Sequence, residues 1–89
     1  MSRVRIPAVV LGATGTVGQR LVRLLADHPW FDLTAVAASE TSAGRLYGDA
    51  CRWMLPGEPP SAAAERTVRR LEPDDIPCER PAVVFSALP

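Results

Sequence analysis

Gly12-Ala13-Thr14-Gly15-Thr16-Val17-Gly18 follows directly on the apolar run Ala8-Val9-Val10-Leu11, and this junction decides the fold. A buried strand that ends in a glycine can turn tightly. A second glycine lets a pyrophosphate approach the backbone without meeting a Cβ, and a third lets the next helix pack closely on the strand. The N–H groups that open that helix have no internal partner, and the aligned peptide dipoles place partial positive charge there. A phosphate is therefore held without a Lys or Arg. The spacing is G-x-x-G-x-x-G and not G-x-G-x-x-G, which assigns the ligand-facing amides to Thr14, Gly15, Thr16 and Val17. The competing reading is a strand-to-helix turn with no ligand. The strand in front, and the helical spacing of Val17, Leu21, Val22, Leu24 and Leu25 behind, favour a dinucleotide.

Working outward, residues 3–11 read as the first strand, with regular pairing from Pro7 onward because proline brings no ladder donor. Its buried centre is Val9, Val10 and Leu11. Residues 16–27 read as a helix that buries the five apolar positions above and solvates Gln19, Arg20 and Arg23, with His28-Pro29 as its stop. His28 suits the C-terminal helix dipole better than catalysis, and Trp30 and Phe31 read as core aromatics. Residues 33–38 form a second strand, parallel to the first across the helical crossover.

The remaining segments are less regular. Residues 39–45 form a hydroxyl-rich loop that leads into a short helix near residues 42–47, stopped by Gly48. Pro56, Gly57, Pro59 and Pro60 leave residues 53–64 without regular structure beyond a helical turn near residues 62–66. Residues 67–71 read as an edge strand with solvated arginines, residues 72–76 as a turn or single helical turn with capping carboxylates, and residues 81–87 as the last strand. The fold class is α/β, a partial Rossmann-type doubly wound parallel sheet made of a β-α-β unit and later strands.

Composition sets the bounds. Eighty-nine residues are too few for a complete doubly wound domain, so residues 1–89 are expected to form one incomplete dinucleotide-binding domain. Ten basic residues, all Arg, balance ten acidic ones, and the net charge of zero argues against nucleic acid or an anionic membrane as partner. Cys51 and Cys78 have no neighbours at metal-ligand spacing and read as structural or incidental thiols, so no metal is expected. The N-terminus runs straight into a strand, and no apolar stretch is long enough to cross a bilayer. A cytoplasmic location is expected.

Three separated patterns agree: Leu11 to Arg20 (LGATGTVGQR), Ala38 to Gly44 (ASETSAG) and Val84 to Pro89 (VFSALP). With the passage Leu25 to Phe31 and the loop Tyr47-Gly48-Asp49, they make the chain resemble aspartate-semialdehyde dehydrogenase of the archaeal and fungal type, over nearly its whole length. The resemblance implies NADPH-dependent reduction of aspartyl phosphate to aspartate semialdehyde, in threonine, methionine and lysine biosynthesis. It also implies a homo-oligomeric full-length enzyme. The family's cysteine nucleophile, histidine and substrate-binding arginines belong to a second domain beyond Pro89; neither Cys51 nor Cys78 matches the nucleophile. The chain alone is then expected to be inactive, with no catalytic residue of its own and small-molecule substrate bound only with the other domain.

The resemblance carries over a cofactor half. Gly12, Thr14, Gly15, Thr16 and Val17 take the pyrophosphate, Ser39 and Ser42 take the adenosine ribose and its 2′-phosphate, and Ser86, Ala87, Leu88 and Pro89 lie beside the nicotinamide. The second strand ends on Ser39, where an NAD-binding fold usually has an acidic residue, and Arg45 supplies positive charge; both point to NADP. Glu40 would oppose that preference if it turned inward. The enzymatic rival is an N-acetyl-glutamyl-phosphate reductase, a weaker one is a short-chain reductase, and a rival of another class is a nucleotide-binding fragment without activity. A neighbouring reading frame for a cysteine-bearing domain would mark a split gene.

Overall fold

A computed structural model describes residues 5–76 and 82–88. Four parallel strands form one sheet in the order β3-β2-β1-β4, with β1 at Ile6–Leu11, β2 at Phe31–Ala38, β3 at Arg69–Arg70 and β4 at Val83–Ser86. The first crossover is α1, Thr16–Leu25; between β2 and β3 lie two short helices, α2 at Tyr47–Ala50 and α3 at Ser61–Ala64. The α/β class and the central β-α-β unit match expectation. Pairing begins one residue before Pro7, where the Ile6 amide donates to the Trp30 carbonyl at 2.8 Å.

The β1–β2 ladder slips once. Ala8 pairs with Leu33 and Val9 with Ala35, which leaves Thr34 as the extra residue of a bulge. Its hydroxyl donates to the Ala8 carbonyl at 3.3 Å, and its own carbonyl accepts from the Arg66 guanidinium at 3.1 Å. The bulge changes which side chains share a face. In an unbroken strand Leu33 would align with Ala35 and Ala37; here Leu33, Val36 and Ala38 join Ala8 and Val10 in one buried cluster with Val22, Leu25, Tyr47 and Ala63.

Helix α1 buries a different stripe from the one expected. Gly18, Gln19, Val22 and Leu25 face inward, while Val17 is 59% and Leu24 67% exposed. Val17 and Leu24 are seven residues apart, hence on one side of the helix, about 100° per residue away from the Gly18 and Leu25 stripe. Gln19 is inside because backbone groups of neighbouring loops need its amide. Trp30 is 64% exposed, contrary to its reading as core, whereas Phe31 packs edge-to-face on Phe85 with ring centroids 5.5 Å apart. His28 follows α1 and accepts at Nδ1 from the Trp30 amide.

The expected helix near residues 42–47 is absent. Gly44, at φ +87°, interrupts any helix through that stretch, and α2 starts at Tyr47 instead. Gly48 does not stop it; a Cβ there would come within 3.2 Å of the Ala64 methyl, so the glycine lets α2 lie close on α3. β3 is shorter than expected, and residues 72–76 hold a 3₁₀ turn, Pro73–Asp75. The Asp75 carboxylate accepts from the Arg70 amide at 2.7 Å and so anchors β3 rather than capping a helix. Cys78, Pro81 and Pro89 lie outside the described residues.

Candidate functional site

The glycine turn is pinned from two sides. The amides of Gly12 and Ala13 both donate to the Ala37 carbonyl, at 2.9 and 3.1 Å, which ties the turn to the C-terminal end of β2. On the other side the Ala87 amide donates to the Leu11 carbonyl at 2.9 Å, and a Cβ on Gly12 would sit 3.2 Å from both the Ala87 carbonyl carbon and Leu88. The ends of β2, β1 and β4 therefore meet here. In open parallel sheets this is the edge at which ligands bind.

Each glycine of the turn has a separate reason. Gly12 has φ +75°, a conformation that side-chain-bearing residues rarely adopt. Gly18 abuts the turn: a Cβ on it would collide with the Gly12 carbonyl oxygen. Gly15 is different. It is exposed, has φ −78° and ψ 174°, and a Cβ on it would meet only the Gly12 carbonyl oxygen, at an unstrained 3.6 Å. No contact among the described residues requires glycine at that position.

The amide inventory differs from expectation at one residue. Gly15 N–H is used inside the turn, donating to the Gly12 carbonyl at 3.2 Å, whereas the N–H groups of Thr14, Thr16 and Val17 have no backbone acceptor among the described residues. Gly15, Thr16 and Val17 are exposed and Thr14 is half-buried at the mouth of the turn. These are donors at the start of a ten-residue helix, with its dipole behind them.

Residues 39–45 wrap the end of β2 in successive turns. The Ser39 carbonyl accepts from the amides of Ser42 and Ala43 at 2.9 and 3.0 Å, and the hydroxyls of Ser39 and Thr41 are 2.9 Å apart. Ser39 is exposed and Ser42 half-buried. Arg45 is not gathered with them; its guanidinium donates to the Asp49 carbonyl at 3.0 Å. Glu40 lines a groove of about 350 Å³ together with Thr67, Arg69, Arg70 and Asp75. The two arginines stand on β3 beside Ala37 and Ala38. At the third strand end, Ser86 and Leu88 are exposed and Ala87 half-buried, and the Ser86 hydroxyl accepts from the Leu88 amide at 3.3 Å.

The family model for the semialdehyde dehydrogenase NAD-binding domain matches residues 7–89. The chain belongs to this family. An aspartate-semialdehyde dehydrogenase of Cryptococcus neoformans is 48% identical to it over 86 residues, which are 97% of this chain and 24% of the relative. One from Archaeoglobus fulgidus is 44% identical over 80 residues, 90% of this chain and 22% of the relative. A crystal structure of the aspartate semialdehyde dehydrogenase with NADP from Candida albicans superimposes with a TM-score of 0.87 at 40% identity, covering 97% of this chain and 24% of that one. The chain thus spans about a quarter of the length of these relatives.

This semialdehyde dehydrogenase NAD-binding domain carries three polar side chains beneath its glycine turn: Gln19, expected on the solvated face of α1 but buried; Tyr47, given no role by sequence; and Cys51, read only as a structural or incidental thiol. Gln19, 2% exposed, donates from Nε2 to the carbonyls of Thr14 and Arg52 at 3.0 and 2.9 Å, and its Oε1 accepts from the Met54 amide at 2.8 Å. Tyr47, fully buried, donates to the Ala13 carbonyl at 2.6 Å. The Cys51 thiol faces the Thr14 carbonyl at 3.9 Å. Burial holds the Tyr47 proton far above the usual phenol range, with the neighbouring Cys51 adding to the effect. Burial also pushes the Cys51 thiol up, against a smaller opposing pull from the neighbouring Tyr47 hydroxyl. A buried thiol kept protonated is a poor nucleophile. Among the described residues no cluster of His, Cys, Asp and Glu could hold a metal, and no helix is long and apolar enough to cross a membrane.

Proposed function

We propose that this domain binds NADP across the C-terminal ends of β1, β2 and β4 and forms the cofactor half of an aspartate-semialdehyde dehydrogenase. The observation that carries the reading is Gly15: the packing of the described residues accounts for Gly12 and Gly18 but not for it. A pyrophosphate lying against the backbone would need the Cβ to be absent there. The Candida relative, whose crystal structure is with NADP, supports the same ligand.

In this reading residues 1–89 are the N-terminal dinucleotide-binding domain. The amides of Thr14, Thr16 and Val17, with the bare backbone of Gly12 and Gly15, take the pyrophosphate. Ser39 and Ser42 take the ribose and its 2′-phosphate, with Arg45 a more distant cation. Ser86, Ala87 and Leu88 flank the nicotinamide. Glu40 shares its groove with Arg69 and Arg70, which balance its charge and weaken its opposition to a 2′-phosphate. Bound there, NADPH supplies hydride for reducing the acyl group of aspartyl phosphate, with residues of a further domain holding the substrate. The described residues bind and orient the cofactor only.

Calorimetric titration of the chain with NADP and NAD tests the binding. Saturable NADP binding, tighter than NAD and abolished in Gly15→Val, is the expected result; no binding, or full binding by Gly15→Val, overturns it. The activity is tested on a fusion to the remainder of the Cryptococcus relative. Phosphate-dependent NADP reduction with aspartate semialdehyde is expected from the fusion and none from the 89-residue chain.

A further inference from the structure

Peptide planes leave little freedom at the glycine turn. No peptide bond among the described residues is cis, so each carbonyl and the following N–H point in opposite directions. The Ala13 carbonyl and the Thr14 N–H belong to one plane. Tyr47 reaches up from α2, with its ring buried and its hydroxyl 2.6 Å from the Ala13 oxygen, and holds that oxygen toward the core. The Thr14 N–H is thereby aimed outward, where no described backbone group accepts it. The next plane is fixed in the same way, since Gln19 holds the Thr14 carbonyl and Gly15 N–H closes on Gly12.

Rotation of a single plane would reverse this polarity. With the Ala13–Thr14 plane turned over, a carbonyl oxygen would replace an N–H at the mouth and repel an anion. The reverse turn would also leave the Tyr47 hydroxyl without its acceptor in a buried site, a costly arrangement. We propose that Tyr47 is a positioning residue for anion recognition: its hydroxyl sets the Ala13–Thr14 peptide plane so that the Thr14 amide donates to the pyrophosphate. The inference rests on the NADP reading above and adds to it a residue 34 positions away in sequence.

Tyr47→Phe in the full chain tests it, with NADP and adenosine 2′-monophosphate as probes. The second probe has the ribose phosphate but no pyrophosphate. In the folded variant NADP binding is expected to weaken about 5- to 10-fold, the size of one net hydrogen bond, with adenosine 2′-monophosphate binding unchanged. The Ala13 carbonyl carbon resonance should shift in the free variant. NADP affinity within twofold of wild type, or equal weakening of both probes, overturns the proposal.

Should the variant not fold, fluorotyrosine gives the answer in the unmutated sequence, because Tyr47 is the only tyrosine. Its fluorine resonance is expected to move with NADP and to stay with adenosine 2′-monophosphate; no movement at saturating NADP overturns the proposal. Gly15→Val separates the two levels. NADP binding retained there removes the site itself, whereas binding lost there but kept in Tyr47→Phe removes only the role of Tyr47.

Discussion

A Cβ on Gly18 would collide with the carbonyl oxygen of Gly12 and sit 2.7 Å from the α-carbon of Ala13, so the first turn of α1 rests directly on the glycine turn. Gly18→Ala should therefore force the helix off the turn and destabilise the domain by more than about 2 kcal/mol. Gly15→Ala makes only an ordinary contact with the Gly12 carbonyl oxygen, at 3.6 Å, and should change stability by no more than about 1 kcal/mol. Urea denaturation of the two variants checks the contrast; equal losses would mean that the turn tolerates neither or both for some other reason than contact.

Gln19 pairs with three backbone groups at once, the carbonyls of Thr14 and Arg52 and the amide of Met54. Gln19→Leu keeps the volume and strands all three. A loss of roughly 2–4 kcal/mol is expected, from about 1–3 kcal/mol for each buried group left unpaired and partial rescue by water. The midpoint of chemical denaturation reads this directly, and a neutral effect would show the residues around 52–54 to be held by something else.

Alkaline pH should unfold the domain. The folded state raises the proton affinity of both Tyr47 and Cys51, so their contribution is complete below the unfolded values and is lost as pH rises past them. The unfolded chain releases the thiol proton near 8.5 and the phenol proton near 10. Above about pH 10 the tyrosine alone lowers stability by about 1.4 kcal/mol per pH unit. With no lysine in the chain, few other groups titrate in this range. Stability measured from pH 7 to 11 should fall in two stages, with the second stage removed in Tyr47→Phe; a flat profile would contradict the burial of the phenol.

Ser39 follows β2 directly and brings no carboxylate, on the rim where the glycine turn is tied to Ala37. Ser39→Asp is expected to weaken NADP at least tenfold and to leave NAD equal or tighter, since like charges in near contact at a protein surface cost on the order of a few kcal/mol. Paired titrations with the two cofactors check it. Unchanged NADP affinity would place the 2′-phosphate away from Ser39.

Local patterns carried much of the fold. The apolar run at Val9 and Val10, three glycines three apart, ten helical residues and a second apolar run dictate β1, the turn, α1 and β2, because each element is stabilised mainly by its own periodicity and by neighbours close in sequence. Parallel pairing followed from the crossover, and the edge position of β3 from its arginines. The joint presence of three glycines also marked the turn as the place to look for a ligand.

The tertiary structure decided what each of those glycines is for. Only the built turn separates Gly18, needed by the helix, from Gly15, which no contact among the described residues requires. It also decided which polar residues are internal. Gln19 and Tyr47 carry no local mark of burial, since their partners at Arg52, Met54 and Ala13 lie 33 to 35 residues away and become neighbours only when α2 and the following loop fold under the turn. The bulge at Thr34 was hidden for the same reason: a slipped register depends on which β1 residue stands opposite, and the Arg66 that caps the Thr34 carbonyl is 32 residues along the chain. Backbone periodicity is a local property, whereas the satisfaction of a buried carbonyl is settled by whichever donor the completed fold brings to it.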